Sequence, residues 1–306
     1  MRSLHILAVL LLTATVGHAQ ERVWLGSARV LNNDQMGDGK DRWRTGSYSA
    51  SFIRGTVWNG ALPERLGELV EYRFRSEIIA PANLQNPVIG TDRRYVGALH
   101  FGAFTHVKAA GGELALGFDL VATGPQTGLG QFQSWAHNAV GMATPAVLGT
   151  QIGDAFYPTI SAEFGRDFTL SSANERRISF RPFVAAQAGI ENFLRIGGDF
   201  TFGNMGLGDF QVRDQTTGQR GIAIKSTRAR GLSFLAGGDV AFVQSSQYLP
   251  ASSGYRVQTA RVRLRAGLYH EGRKGSIFYG LTWLGKEFVN QPTTQVLGSL
   301  SIRMTF

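Results

Sequence analysis

The chain has 306 residues, with 39 glycines, no cysteine and a formal net charge of +9 at pH 7. The absence of cysteine leaves the redox compartment open, and no apolar run of about 18 residues follows the N-terminal segment, which excludes a spanning helix there. The basic surplus suits an anionic partner. No compact basic cluster is present, which argues against nucleic acid as that partner.

The N-terminal segment has the order of a secretory signal peptide. Arg2 is followed by an apolar run from Leu4 to Val16 and then by the small residues Gly17 and Ala19. A basic, then apolar, then small-residue order is typical of export signals. We therefore expect residues 1–19 to be removed and residues 20–306 to form the exported protein.

Alternation of apolar and polar residues dominates the remaining chain. Segments of about ten residues with period-two alternation are the signature of a membrane barrel. The first predicted strand is Val23 to Asn33, and further alternating segments lie near 45–52, 70–77, 99–106, 113–120, 159–167, 177–188, 193–203, 233–243, 255–270, 275–285 and 295–306. The sequence therefore predicts an all-β fold, a twelve-stranded antiparallel transmembrane β-barrel.

The segment 255–270 favours a membrane barrel most strongly. Val262 and Leu264 alternate there with Arg261, Arg263 and Arg265. A buried sandwich strand would not accommodate these arginines, whereas a polar lumen does. A soluble sandwich or lipocalin-like barrel is the alternative fold. The export signal, the even strand count and the terminal aromatic Phe306 argue against it.

An even number of strands places both termini on the periplasmic side. The connections 34–44, 78–92 and 124–155 are then extracellular. Residues 204–231 form a long periplasmic connection to which the sequence assigns no clear role, unless it extends a strand.

The stretch 124–141 has a helical pattern within the third extracellular loop. At about 100° per residue, Phe132, Trp135 and Val140 share an apolar side with two alanines, while His137 falls with Gln133 and Ser134 on the polar side. The topology brings this histidine to the same rim as four other polar side chains. These are Asn33, Asp34, Thr45 and Arg93.

Four segments resemble one known family, the outer-membrane lipid A 3′-O-deacylases. They are NNDQMGDGKDRWRTGSYSAS at 32–51, TDRRYVGALHFG at 91–102, GPQTGLGQFQSWAHNAVG at 124–141 leading to Gln151 and Asp154, and KEFVNQPTTQVLGSLSIRMTF at 286–306. Together they span nearly the whole exported chain in the family's order.

The resemblance implies a twelve-stranded barrel that hydrolyses an ester-linked 3′ acyl chain of lipid A with calcium. By position, His137 would be the general base and Arg93 would support the oxyanion, while Asn33, Asp34 and Thr45 would surround the Ca²⁺ ion. Asp154 would supply a further metal ligand. The chemistry is coherent in itself, since ester hydrolysis needs a base near neutral pKa and a cation for the oxyanion, and calcium binds such oxygens. Lipopolysaccharide in the outer membrane would be the partner, and the protein would be a monomer.

Three alternatives stay open. The first alternative is a relative that kept the fold and lost catalysis. The family has an acidic residue soon after its histidine, where this chain has residues 141–144, GMAT. A narrow porin is the second. A serine hydrolase is the third, although no Gly-x-Ser-x-Gly motif is present and Ser134 is the only serine near His137.

Overall fold

The computed structural model describes residues 21–86, 92–173, 176–226 and 230–304. The predicted signal peptide and Phe306 lie outside these ranges. Fifteen strands and one α-helix are described: β1 (Val23–Asn33), β2 (Trp43–Gly55), β3 (Val70–Ala80), β4 (Val96–Ala109), β5 (Gly112–Thr123), α1 (Leu129–Ala139), β6 (Ala155–Gly165), β7 (Phe168–Ala173), β8 (Arg176–Ala188), β9 (Glu191–Phe202), β10 (Phe210–Arg213), β11 (Arg220–Ile224), β12 (Gly231–Ser246), β13 (Ala260–Glu271), β14 (Gly275–Leu284) and β15 (Gln295–Met304). Within the described ranges, α1 is too short and too polar to cross a membrane.

Thirteen of these strands form one closed antiparallel sheet. β1 pairs with β15, while β6 and β7 pair with successive parts of β8. Because β6 and β7 share one partner in this way, they act as a single strand of the wall, which therefore has twelve. The predicted twelve-stranded barrel is confirmed. We refer to the end that carries β1's start and β15's end as the terminal end, and to the opposite end as the loop end.

The wall is polar inside and apolar outside. On β13, Arg261, Arg263 and Arg265 are buried in the lumen, whereas Leu264 and Leu268 are about half exposed on the outer surface. Carboxylates on neighbouring strands pair with these arginines; Asp239, for example, accepts hydrogen bonds from Arg263 and Arg265. The strand parity predicted for this segment is therefore confirmed.

Leu264→Arg tests the lipid-facing assignment. An arginine at this mid-strand position would lie against hydrocarbon, and we expect a loss of about 2–4 kcal/mol in the free energy of unfolding. Leu264→Met, which keeps the position apolar, should change it little. A urea titration of the protein refolded into vesicles measures both, and equal stabilities for the two variants would contradict the assignment.

The segment from Phe210 to Ile224 is a β-hairpin that fills the lumen, and it does not extend a wall strand as the sequence suggested. β10 pairs only with β11. Its tip, residues 214–219, carries polar side chains that meet the polar wall, because Asp214 accepts hydrogen bonds from Asn32 and Ser49 on two strands. On the far side, the guanidinium of Arg263 donates to the main-chain carbonyls of Gln215 and Thr216.

The base of this hairpin is apolar and packs at the terminal end. Phe210, Val212 and Ile224 form a cluster with Ile53 and Leu69 of the wall region. Gly26 of β1 allows the close approach, because a Cβ at that position would lie 2.2 Å from the main-chain oxygen of Ala223. We call residues 210–224 the lumenal hairpin.

Removal of the lumenal hairpin should open a pore. The main-chain N–H of Ser226 donates to Asp209 Oδ1 at 2.7 Å, so a short glycine linker can join these residues after excision of 210–225. We expect no steady conductance from the intact protein in planar bilayers, and a clear conductance from the excised variant. High conductance from the intact protein would instead favour the porin alternative.

Candidate active site between the loop helix and the barrel wall

Helix α1 lies against the outer surface of the wall at the loop end. The side chains of Val96 and Ala98 face the lumen, where they belong to one apolar cluster with Ile190 of the turn between β8 and β9. Gly97 between them therefore faces outward, and a Cβ on it would lie 2.5 Å from Thr127 Oγ1 and 3.1 Å from the Cβ of Leu129. The start of α1 thus packs directly on the outside of β4.

The helix buries its polar side against this wall. Its buried residues are Gly130, Gln133 and His137, which recur every three or four positions and so form one face. Gly130 lets the helix approach the rest of its own loop, since a Cβ there would meet the side chain of Leu148 at 2.9 Å. His137 is 7% exposed, so the histidine is enclosed between helix and wall.

Oxygen-bearing side chains of the first loop, β2 and α1 form a chain of contacts that reaches His137. Thr45 stands at an irregularity in the pairing of β2 with β3, between Arg44 and Gly46. Its hydroxyl lies 3.0 Å from Asp34 Oδ1 and 2.6 Å from Asp41 Oδ1, and Gln133 Nε2 donates to Asp41 Oδ1 at 3.2 Å. We call Asp34, Asp41, Thr45, Gln133 and His137 the helix–wall cluster.

The hydrogen bonds of His137 assign its ring nitrogens. Nδ1 lies 2.8 Å from the carbonyl oxygen of Ala143, and a carbonyl can only accept, so Nδ1 carries a proton. Nε2 lies 2.9 Å from Asp41 Oδ2. This arrangement holds the ring in one orientation and leaves Nε2 as the nitrogen that exchanges a proton within the cluster.

The cluster has more oxygen acceptors than donors. The single proton of the Thr45 hydroxyl can serve only one of its two carboxylate neighbours at a time. Burial, together with the charges of Asp41 and Asp38, raises the pKa of Asp34 to about 8 despite the Arg42 main-chain N–H and the Thr45 hydroxyl. A bound cation would relieve this excess of negative charge and lower that pKa.

Unpartnered oxygens show how the residues fit a calcium ion. Gln133 Oε1 and Asp38 Oδ1 are buried without a hydrogen-bond partner in the described structure, and Asp41 Oδ2 has only its ion-pair contact with His137 Nε2. Carboxylate, amide and hydroxyl oxygens are the ligands that Ca²⁺ prefers. Over the same described ranges, no three His, Cys, Asp or Glu side chains are already grouped to hold a metal. An ion there would therefore also need amide, hydroxyl or main-chain oxygens.

The inward-pointing asparagine of β1 is Asn32, not Asn33. Asn32 is fully buried and donates to Ser47 and Asp214, whereas the Asn33 side chain accepts the main-chain N–H of Gln35. Successive side chains of a strand alternate between faces, so a register with Asn33 inward is not the one observed. Asn33 therefore points to the outer side of the wall, where its Oδ1 forms a local turn with the N–H of Gln35, and its role as a metal ligand stays a prediction.

Arg93 and Asp154 also lie outside the helix–wall cluster. Arg93 is fully buried, and its guanidinium donates to Glu287 Oε2 at 2.7 Å and to the carbonyl of Tyr248. Asp154 is exposed and accepts the main-chain N–H of Gln126 at the base of the α1 loop. Arg93 thus links Glu287 and Tyr248 at the loop end of the lumen. Asp154 links the two ends of the loop that carries α1. Their contacts are structural, and their predicted catalytic and metal roles gain no support from these positions.

Asp41 and Gln133 are the cluster residues that the sequence analysis did not select. Gln133 precedes His137 by four positions, a spacing that places both on one helix face, and Asp41 belongs to the Asp-Arg pair of the first family-like segment. Asp41 supplies the carboxylate beside His137 that residues 141–144 lack.

A larger cavity elsewhere is separate from this cluster. A space of about 420 Å³ lies between the lumenal hairpin and the wall, lined by Ser49, Arg73, Arg220 and Tyr269 among others. None of the cluster residues lines it. It opens at the terminal end, away from α1.

The closed wall, the polar lumen and the site on the outer surface define a β-barrel protein of the outer-membrane class. The chain belongs to the family described as outer membrane protein LpxR, whose model matches residues 4–306. Its location is accordingly the outer membrane of a Gram-negative bacterium, and the loop end is extracellular.

A solved structure shares this fold, and a second one is less similar. LpxR from Salmonella typhimurium is 17% identical, with a TM-score of 0.77 over 92% of this chain and 100% of that chain. The β domain of the Bordetella autotransporter BrkA is 13% identical, with a TM-score of 0.42 over 92% and 99% of the two chains. No curated protein sequence matches this chain.

Proposed function

We propose that this protein is a monomeric, calcium-dependent hydrolase that removes an ester-linked 3′ acyl or acyloxyacyl chain from lipid A. The observation that carries the proposal is the position of His137, enclosed beside Asp41 between α1 and the outer side of the wall. A site on that side faces the outer leaflet, in which lipid A lies. Membership of the LpxR family supports the same substrate class.

In the proposed reaction, His137 acts through Nε2. The ring is held by the bond from Nδ1 to Ala143, and Nε2 takes a proton from water as the water oxygen bonds to the ester carbonyl carbon. The bond from that carbon to the sugar oxygen then breaks, and the imidazolium returns the proton to the sugar oxygen. The products are a free fatty acid and a 3′-hydroxyl on lipid A.

Asp41 has two tasks in this scheme, one toward His137 and one toward the calcium ion. The carboxylate of Asp41, 2.9 Å from Nε2, stabilises the imidazolium that forms during the reaction. Oxygens of Asp34, Asp41 and Thr45 would hold the calcium ion, which supplies positive charge for the oxyanion. Gln133 orients Asp41 through its amide N–H.

Mass spectrometry of lipid A tests the proposal. A Gram-negative host that makes the protein should contain lipid A lighter by one 3′ acyl or acyloxyacyl group, and a host with the empty vector should not. Because activity can be latent in the native membrane, the purified protein is also incubated with lipid A in detergent and calcium. Unchanged lipid A in both settings would show that the chain is a degenerate relative.

Removal of calcium should abolish the reaction if Asp34 and Thr45 are ligands. We expect excess chelator to lower the rate by at least tenfold, and added Ca²⁺ to restore it. Asp34→Ala should resemble the chelated wild type and should not respond to Ca²⁺. Thr45→Val should require more Ca²⁺ for the same rate, because a hydroxyl ligand is lost with little change of volume. Full activity in chelator without any divalent ion would exclude calcium.

A further inference from the structure

The outward face of α1 is apolar although the helix lies on an extracellular loop. Phe132, Trp135 and Val140 are 55%, 66% and 70% exposed. The two rings lie side by side, with centroids 5.8 Å apart. A helix that faces water normally turns its apolar side to the protein. Here the buried side holds Gln133 and His137, so the usual arrangement is reversed.

The whole loop around α1 lacks charge. Residues 124–153 contain no Asp, Glu, Lys or Arg, and His137 is their only ionisable side chain. The first loop of the same rim, residues 34–42, carries three aspartates, a lysine and an arginine. A long extracellular loop in water would be expected to resemble the first loop, whereas an uncharged loop suits hydrocarbon or its boundary.

The face is continuous with the surface that already contacts lipid. α1 packs on the outer side of β4 at Gly97. Phe101 lies four residues further along the same strand, toward mid-membrane, and its side chain is exposed on the same side. The loop returns to the wall at β6, where Phe156 and Ile160 are exposed on the outer surface. Outer-membrane barrels carry an apolar band bordered by aromatic residues at each interface.

We propose that Phe132, Trp135 and Val140 form a membrane-docking surface that inserts among the acyl chains of the outer leaflet. The occupant is the hydrocarbon of the leaflet, not a protein partner. Docking holds α1 at the depth where the polar and apolar parts of a lipid meet. The surface itself is independent of the proposed function, but its consequence rests on that function: the inward side of the docked helix presents His137 to acyl ester bonds at that depth.

Spin labels test the docking surface without any measurement of activity. The chain has no cysteine, so Phe132→Cys and Val140→Cys each give one labelling site. Lys40→Cys in the first loop provides an aqueous control, and Phe101→Cys on the outer wall provides a hydrocarbon control; both positions are exposed. The labelled barrels are placed in palmitoyl-oleoyl phosphatidylcholine vesicles, and relaxation by oxygen and by a water-soluble nickel chelate is measured.

Labels at 132 and 140 should resemble the label at 101, with high oxygen and low nickel accessibility. Nickel accessibility like that at position 40 would overturn the proposal. Spin–spin broadening at 140 that disappears on dilution with unlabelled protein would assign the face to a second copy, and would also overturn it. Heat-modifiable migration on gels verifies that each variant is folded.

The consequence for catalysis is tested with Phe132→Asp combined with Trp135→Asp. Two carboxylates on this face should lower the rate on lipid A in vesicles by at least tenfold, and should leave the rate on detergent-dispersed lipid A within about twofold. Equal loss in both would contradict a docking role. If the wild type is inactive, the proposed function fails, whereas the spin-label result still decides whether the helix docks.

Discussion

Replacement of His137 by alanine is expected to lower lipid A deacylation by about 10² to 10⁴-fold, the loss typical of a general base. The barrel should remain folded, because α1 lies outside the closed wall and contributes no strand pairing. Initial rates on purified lipid A in detergent, with calcium supplied, measure the effect. Asp41→Asn should also be slow, because it keeps the shape but removes the charge beside Nε2.

His270→Ala is the matched control for that result. His270 is exposed near the terminal end of β13, on the periplasmic side, and its loss should leave the rate unchanged. An active His137→Ala would contradict the assigned base. His100 would be a poor substitute, because it is buried in the lumen within 3.0 Å of Arg75 Nη2 and of the Tyr248 hydroxyl.

Replacement of Arg44 by methionine is expected to destabilise the barrel by about 3–5 kcal/mol, since it leaves buried carboxylates without a countercharge. The Arg44 guanidinium crosses the lumen just inside the extracellular rim. It donates to Glu77 at 2.5 Å, to Glu191 at 3.4 Å and to Glu287. These carboxylates come from β3, β9 and the last extracellular loop, so one side chain links distant parts of the wall.

The pH dependence of this loss follows from Glu287. Arg44 and Arg93 hold the pKa of the Glu287 carboxyl well below its usual range, although burial opposes them. A depressed carboxyl pKa stabilises the fold above the ordinary glutamate value of about 4.3 and loses that effect as the pH falls. The deficit of Arg44→Met should therefore shrink in acid, where the Glu287 carboxyl, without Arg44 beside it, takes up a proton.

Urea titrations in vesicles at pH 7 and pH 4 measure both parts of this prediction. Arg273→Met, in an exposed turn at the terminal end, is the control and should change stability by no more than about 0.5 kcal/mol. A deficit of Arg44→Met that is small at pH 7, or that grows in acid, would contradict the ion-pair account.

The wall was largely predictable from the sequence because each strand carries its own alternation. β1 has the predicted bounds, and the alternating arginines of β13 point into the lumen as expected. The lumenal hairpin was not predictable in this way, since β10 and β11 have four and five residues. Such short strands show little periodicity, and the contacts of the hairpin are with strands far away in sequence.

The site was predictable in outline but not in its atoms. A periodic pattern brings His137, Asp34 and Thr45 to one rim, and the structure places these three together. The irregularity at Thr45 and the inward register of Asn32 depend on local pairing that alternation alone does not show. Asp41 reaches the histidine through the course of the first loop, for which the sequence provides no period.

The helix predicted within residues 124–141 is present as α1. The pattern did not show which face of the helix packs on the barrel. The two opposite faces of α1 differ in polarity, and the sequence pattern is the same whether the apolar face contacts protein or lipid. The structure settles the orientation through the packing of Leu129 on Gly97 and the burial of Gln133. Whether water or lipid surrounds a surface helix decides which of its sides packs on the protein, and the residue pattern does not contain that information.

Hydrolysis in water enriched in ¹⁸O tests most directly whether the helix–wall cluster directs water onto an ester carbonyl. The released fatty acid should gain one ¹⁸O in its carboxyl group, and the new 3′-hydroxyl of lipid A should gain none. His137→Ala should release no labelled acid above background. Unlabelled fatty acid, label in the sugar hydroxyl, or transfer of the acyl chain to another acceptor would contradict the account.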